Sequence, residues 1–246
     1  MQRYGFTLSE VLITLGIIGV VAAMTLPSLI ANYREKVFVT SAKRGYSVLT
    51  NAMNKWNVDN GVVGDPSYFW LSGTNDELLN EFAKVLNVNK VCLTGKLANC
   101  GGTYEILQYK KINDGKGNTT QENWISQTYG RIILVDGTFV TLQRTSTDSC
   151  DKMAWSNSRD ENGNFTEDPS SPTGFAGAYY ESHVCGRIAF DTNGLKGPNQ
   201  IGVDVFQIPY FSNGTIGTNN NLWGNIDYVL ANDKLTTTEK YTPGEF

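Results

Sequence analysis

Few residues in this chain have the type and spacing that chemistry requires, and Glu10 is the first of them. It stands at the head of Val11–Tyr33, 23 consecutive positions without a charged side chain. A carboxylate held at the centre of a bilayer costs roughly 2.5–3.5 kcal/mol, and less near the interface, so such a group normally has a partner. No cation lies within the stretch. Two arrangements satisfy the charge: hydration at the headgroup level, or a cation supplied by another molecule.

Four cysteines form the second set: Cys92, Cys100, Cys150 and Cys185, all beyond the apolar stretch. None forms C-x-x-C, which leaves a zinc knuckle or a thioredoxin-type pair with little support. An even count on the far side of a membrane favours disulfides. Sequence neighbours suggest Cys92–Cys100 and Cys150–Cys185, one of three possible connectivities. Chain entropy assigns about 2.6 kcal/mol to the shorter loop and about 3.8 kcal/mol to the longer one. The alternative is four buried thiols in a reducing compartment.

A third set lies in Phe190–Asp204, a glycine-rich loop carrying many oxygen-bearing side chains. Asp191, Asn193, Asn199 and Asp204, with the backbone carbonyl of Leu195, are candidate ligands for a hard cation such as Ca²⁺. The loop is not an EF-hand, because Leu195 and Gly202 stand at the fifth and twelfth positions counted from Asp191. The competing reading is a tight Asx–Gly turn at Asp191, Asn193 and Gly194, with Asp204 merely exposed; such turns are common.

Catalysis finds no support. A nucleophilic triad would need His183, the single histidine, which lies in Tyr179–Cys185 without a G-x-S-x-G elbow. No P-loop, G-x-G-x-x-G or H-E-x-x-H pattern occurs. The chain reads as a non-enzyme that requires no cofactor. Its formal charge of −4, with 40% hydrophobic and 18% charged residues, excludes a disordered chain and argues against a nucleic-acid partner. The 25 glycines show no three-residue period, which excludes collagen.

The elements that position these residues begin with the apolar stretch. As a helix, Val11–Tyr33 spans about 34 Å, enough for a hydrocarbon core of roughly 30 Å. No A-x-A cleavage pattern follows it, and it runs past Pro27 into Asn32–Lys36, so it is retained rather than removed as a secretory signal. Farther on, Phe38, Ala42, Tyr46, Leu49, Met53 and Trp56 recur at steps of three and four, the signature of an amphipathic helix ending at Asn60–Gly61. Asn75–Asp76 caps an expected helix reaching Leu86. A short strand is expected within Gly101–Lys111, and a hairpin over Arg131–Val135 and Thr138–Leu142 around Asp136–Gly137. Gly186–Phe190 and Val203–Ile208 are further strands, and Ser156–Gly177 is an exposed loop. This order gives an α+β fold, a long N-terminal helix packed on an antiparallel sheet.

Gly5-Phe6-Thr7-Leu8-Ser9-Glu10, followed by an apolar helix containing Pro27, resembles the prepilin cleavage and methylation segment of type IV pilins and type II secretion pseudopilins. The resemblance implies cleavage between Gly5 and Phe6 by a prepilin peptidase and methylation of the new Phe6 amine. It further implies that Glu10 pairs with the Phe6 amine of a neighbouring subunit, and that the stem bends at Pro27. The organisation it implies is a leader at 1–5, a transmembrane or filament stem at 6–31, an amphipathic half-helix at 32–59 and a globular domain at 60–246. The segment around Asp191 also resembles a loop near the C-terminal end of pseudopilin-like proteins, where major pseudopilins bind calcium. That loop and the Asp136–Gly137 hairpin tilt the reading towards a pseudopilin.

Under this resemblance the chain is a single-pass inner-membrane protein with a periplasmic C-terminal domain. Its partners are the peptidase, other pilin or pseudopilin subunits of a helical filament, and an inner-membrane assembly platform. Arg34, Lys36, Lys43 and Arg44 lie beyond the span, against the positive-inside tendency, and only Arg3 precedes it. The alternative function is a minor pilin or adhesin, whose domain binds a surface or ligand through Trp155, Tyr179, Tyr180 and Trp223.

Overall fold

The computed structural model describes residues 7–65, 67–103, 107–109, 119–121, 129–145, 149–150, 152–157, 168–170, 177–214, 216 and 226–235. Helix α1 runs unbroken over Leu8–Asp59, 52 residues or about 78 Å long. Two sequence patterns share it. The first half is apolar all round, and the second buries Val39, Ala42, Leu49, Met53 and Trp56 on one face. The helix stops at Asn60, whose backbone N–H and side-chain amide both donate to the Trp56 carbonyl, at 3.0 and 2.8 Å. Gly61 then takes a left-handed φ of 70°, where a side chain would be strained.

Helix α2 (Ser67–Leu71) delivers Phe69 and Trp70 to the core, and α3 (Asn75–Ala83) delivers Leu78, Leu79 and Phe82. The cap of α3 is Thr74 rather than Asn75–Asp76. Its hydroxyl accepts the Glu77 N–H at 3.3 Å, while Glu77 accepts the Thr74 N–H at 2.6 Å. This reciprocal pair satisfies two otherwise orphaned donors. Thr74→Ala is expected to lower the melting temperature of the detergent-solubilised chain by about 2–4 °C, the size of an N-cap deletion. The helix ends at Ala83 instead of Leu86; Val85 and Leu86 pack on the core from the following turn.

The sheet contains β1 (Val88–Cys92), β4 (Arg131–Leu134), β5 (Phe139–Arg144), β8 (Val184–Asp191) and β9 (Val205–Phe211), in that spatial order and antiparallel throughout. Two small hairpins stand apart: β2 (Leu107–Tyr109) with β3 (Thr119–Gln121), and β6 (Lys152–Asn157) with β7 (Gly177–Ser182). The register lines up Val140, Phe190 and Phe206 across three strands, and Leu142, Ile188 and Ile208 beside them. Phe190 and Phe206 stack with ring centroids 5.6 Å apart. These rows face α1, and Gly45 makes the close approach possible. A Cβ there would lie 2.6 Å from the Phe190 ring.

The β4–β5 connection is a turn over Leu134–Gly137 rather than a two-residue loop. Gly137 donates to the Leu134 carbonyl at 3.0 Å and adopts a φ of 91°. Asp136 accepts the Thr138 N–H at 3.0 Å and pairs with Arg44 of α1 at 3.2 Å, fixing the hairpin tip against the helix. Helix α4 (Ile226–Asn232) docks on α1 and β9, with Lys43 paired to Asp233. The architecture is a pilin-like α+β fold, a long N-terminal helix followed by a five-stranded antiparallel sheet.

Candidate functional site

The head of α1 holds a carboxylate within its own first turn. Glu10 lies in the first turn, three residues after the N-cap Thr7. Its Oε2 accepts both the Thr7 N–H and the Thr7 hydroxyl at 2.8 Å, and the Thr7 hydroxyl accepts the Glu10 N–H at 3.3 Å. The arrangement is a capping box, and the helix dipole adds to it, because a negative group is favoured at an N-terminus. Glu10 therefore has a partner in its own chain, a third arrangement beside water and a foreign cation. The Thr-x-x-Glu spacing signals it in sequence, as it does again at Thr74–Glu77. Oε1 has no partner among the described residues. Gly5 and Phe6 lie outside the described residues.

Behind Glu10 the stem projects with its large apolar side chains exposed. Its most apolar window is wholly unburied, with Leu8 81% and Met24 76% exposed. Thirteen large apolar side chains from Leu8 to Ile30 are exposed. At roughly 1.5–3 kcal/mol for each full burial, they represent a driving force of order 20 kcal/mol towards lipid or towards other stems. The helix is long and apolar enough to cross a membrane. Gly16 and Gly19 have nothing within 4 Å of a built Cβ, so no contact within the chain requires them. Pro27 sits inside α1, where it supplies no N–H for the carbonyl one turn back. Exposed apolar residues continue past the stem as Tyr33, Val37 and Val48 on the side of α1 turned away from the sheet.

All four cysteines are paired, Cys92 with Cys100 and Cys150 with Cys185. The first bridge closes a loop onto a buried cation. The Arg131 Nη1 donates to the carbonyls of Cys100 and Gly102 at 2.6 and 3.1 Å, and the guanidinium lies 4.7 Å over the Phe139 ring. Nothing in the sequence signals the full burial of Arg131, whose context reads simply as the start of a strand.

The Asp191–Asp204 loop is folded on itself. The Asp191 Oδ1 accepts the N–H groups of Asn193 and Gly194 at 3.1 and 3.0 Å. Asp204 accepts those of Asn199 and Gln200 at 2.9 and 2.6 Å. The Asn193 side chain donates to the Gly197 carbonyl at 3.2 Å, and Leu195 is half-exposed above Gly101. Both carboxylates thus face N–H dipoles of their own loop. Among the described residues no group of three or more His, Cys, Asp or Glu side chains converges. The tight-turn geometry at Asp191 and Gly194 describes the first half of the loop, and backbone N–H groups engage the Asp204 carboxylate in the second. Asp204 differs from its exposed reading, since it is fully buried.

Burial pushes the Asp204 carboxyl up to about 7, against the pull of its N–H donors. An unfolded aspartate titrates near 3.9. Between those values the native state holds a proton that the unfolded state has lost, so stability falls as pH rises through the window. The melting temperature of the full chain should therefore drop between about pH 4 and 7, and Asp204→Asn should flatten that slope.

His183 is exposed between β7 and β8, Trp223 lies outside the described residues, and the side chains of Trp155, Tyr179 and Tyr180 are likewise undescribed. The arrangement as a whole defines a class of protein. Among the described residues, an exposed apolar half-helix leads a pilin-like domain, an arrangement consistent with a membrane-anchored pilin. Residues 1–26 match the family model of the prokaryotic N-terminal methylation motif, the signature of type IV pilins and pseudopilins, which supports a type IV pilin-like protein processed by prepilin peptidase. No curated protein and no solved structure gives a significant match to the chain.

Proposed function

We propose that the chain is a pseudopilin, a structural subunit of a type II secretion or related pilus-like filament. The exposed stem carries this reading: it leaves lipid only if neighbouring stems replace the lipid, so little apolar area meets water during the transfer. Prepilin peptidase cuts between Gly5 and Phe6, and the freed Phe6 amine of one subunit meets the Glu10 carboxylate of the next. Thr7 holds one oxygen of that carboxylate and leaves the other for the incoming amine. A misplaced subunit would leave the charge unpaired among apolar stems, so Glu10 sets the register. The N-terminus lies on the cytoplasmic side, the domain beyond residue 60 in the periplasm, and an inner-membrane platform drives extraction.

Expressed with a prepilin peptidase and an assembly platform, the full chain should form filaments visible by electron microscopy, with subunits that cross-link into long multimers. A processed chain that stays as anchored monomers under those conditions contradicts the reading.

A further inference from the structure

The soluble domain carries exposed apolar residues at both ends of the helix half on which it is built. At the end nearer the stem, Arg44 holds the β4–β5 tip, and Val135 on that tip is 63% exposed. Next to it stands the 193–197 turn: Gly194 packs against the Gly137 carbonyl, which brings half-exposed Leu195 and exposed Lys196 to the same end. The Lys196 ammonium has no partner among the described residues. At the far end of α1, Val58 and Val63 are 64% and 74% exposed, Tyr68 is exposed beside Trp56, and Asp59 and Asp65 flank them. Fourteen helical residues separate Arg44 from Val58, about 21 Å along the axis.

The two ends therefore complement each other in character, an apolar end with an exposed lysine against an apolar end where Asp65 has no ion pair among the described residues, Asp59 being engaged by Lys55 at 3.2 Å. Stems inserted through one membrane with one polarity are parallel, and parallel copies displaced along their axis bring unlike ends together. We propose that successive copies of this chain dock head to tail, the Val135–Leu195–Lys196 end of one copy seating on the Val63–Asp65–Tyr68 end of the next. This rests on the filament-subunit reading. The contact is heterologous, so it repeats without closing, and it continues the stem packing outward into the soluble domains. Tyr68 is the residue type best suited to anchor it, a rigid ring with a polar tip.

Cysteine cross-linking in the assembled full chain tests the proposal, because all four native cysteines are already bridged. Val135→Cys and Val63→Cys place thiols at exposed positions, one at each end. After mild oxidation the double variant should run as a ladder of multimers without reductant. Each single variant should stay monomeric, and a mixture of the two singles should give dimers. Lys196→Glu in the double variant should cut the ladder several-fold. Filaments of the double variant without a ladder overturn the docking while leaving the filament reading intact; a lipid-facing or solvent-facing tip would give that result. Dimers within a single variant overturn it in favour of like-to-like contact. Absence of filaments from the unaltered chain overturns both.

Discussion

Glu10→Gln should leave the chain folded, anchored and processed, yet lower its incorporation into filaments at least tenfold. The substitution is informative because glutamine at this helix position still closes a capping box with Thr7, so the local structure of α1 survives. What disappears is the negative charge. In an apolar surround an ion pair with the neighbour's amine is stronger than a neutral hydrogen bond, and removal of one partner strands the other. Glu10→Ala removes the cap as well and should be no better. Co-sedimentation of wild-type and variant subunits with sheared filaments measures the effect. Equal incorporation of Glu10→Gln would mean that the cap, not the charge, is the function of this residue.

The largest expected loss of stability comes from a glycine. A Cβ on Gly186 of β8 would lie 2.1 Å from the Trp70 ring, and Trp70 is fully buried. The indole cannot swing aside, because Phe69 meets it edge-on at 5.1 Å and Tyr210 lies 5.8 Å away. Forcing even one methyl group into such packing costs about 3 kcal/mol, the upper part of the usual range. Gly186→Ala should therefore lower the melting temperature by about 6–12 °C. Gly16→Ala is the control: nothing lies within 4 Å of its built Cβ, and the domain should melt unchanged. Equal melting of the two variants would show that α2 does not seat on β8 as described.

The parts legible in the sequence were those with strong periodicity. The three-and-four stripe from Phe38 to Trp56 and the alternation across Arg131–Leu142 depend on local geometry, and they produce α1, β4 and β5. β8 and β9 are visible as apolar runs; β8 extends past both expected ends, whereas β9 begins two residues later than expected and runs on to Phe211. β1 was not visible, because Val-Asn-Lys-Val-Cys on a sheet edge has no continuous apolar face. Five-residue α2 carries too little pattern to identify; it exists because Phe69 and Trp70 fill the space between α1 and the sheet. At the candidate site the stem and Glu10 were evident from charge alone. The role of Thr7 lies in the Thr-x-x-Glu spacing, a capping-box pattern. The inward turn of Asp204 depends on backbone N–H groups, which composition does not reveal.

The most direct measurement is a mass spectrum of the mature N-terminus from cells that assemble the protein. The account predicts a chain beginning at Phe6, heavier by one methyl group on its amine. An intact chain still starting at Met1 would leave no free amine beside Glu10, and the assembly scheme would be wrong.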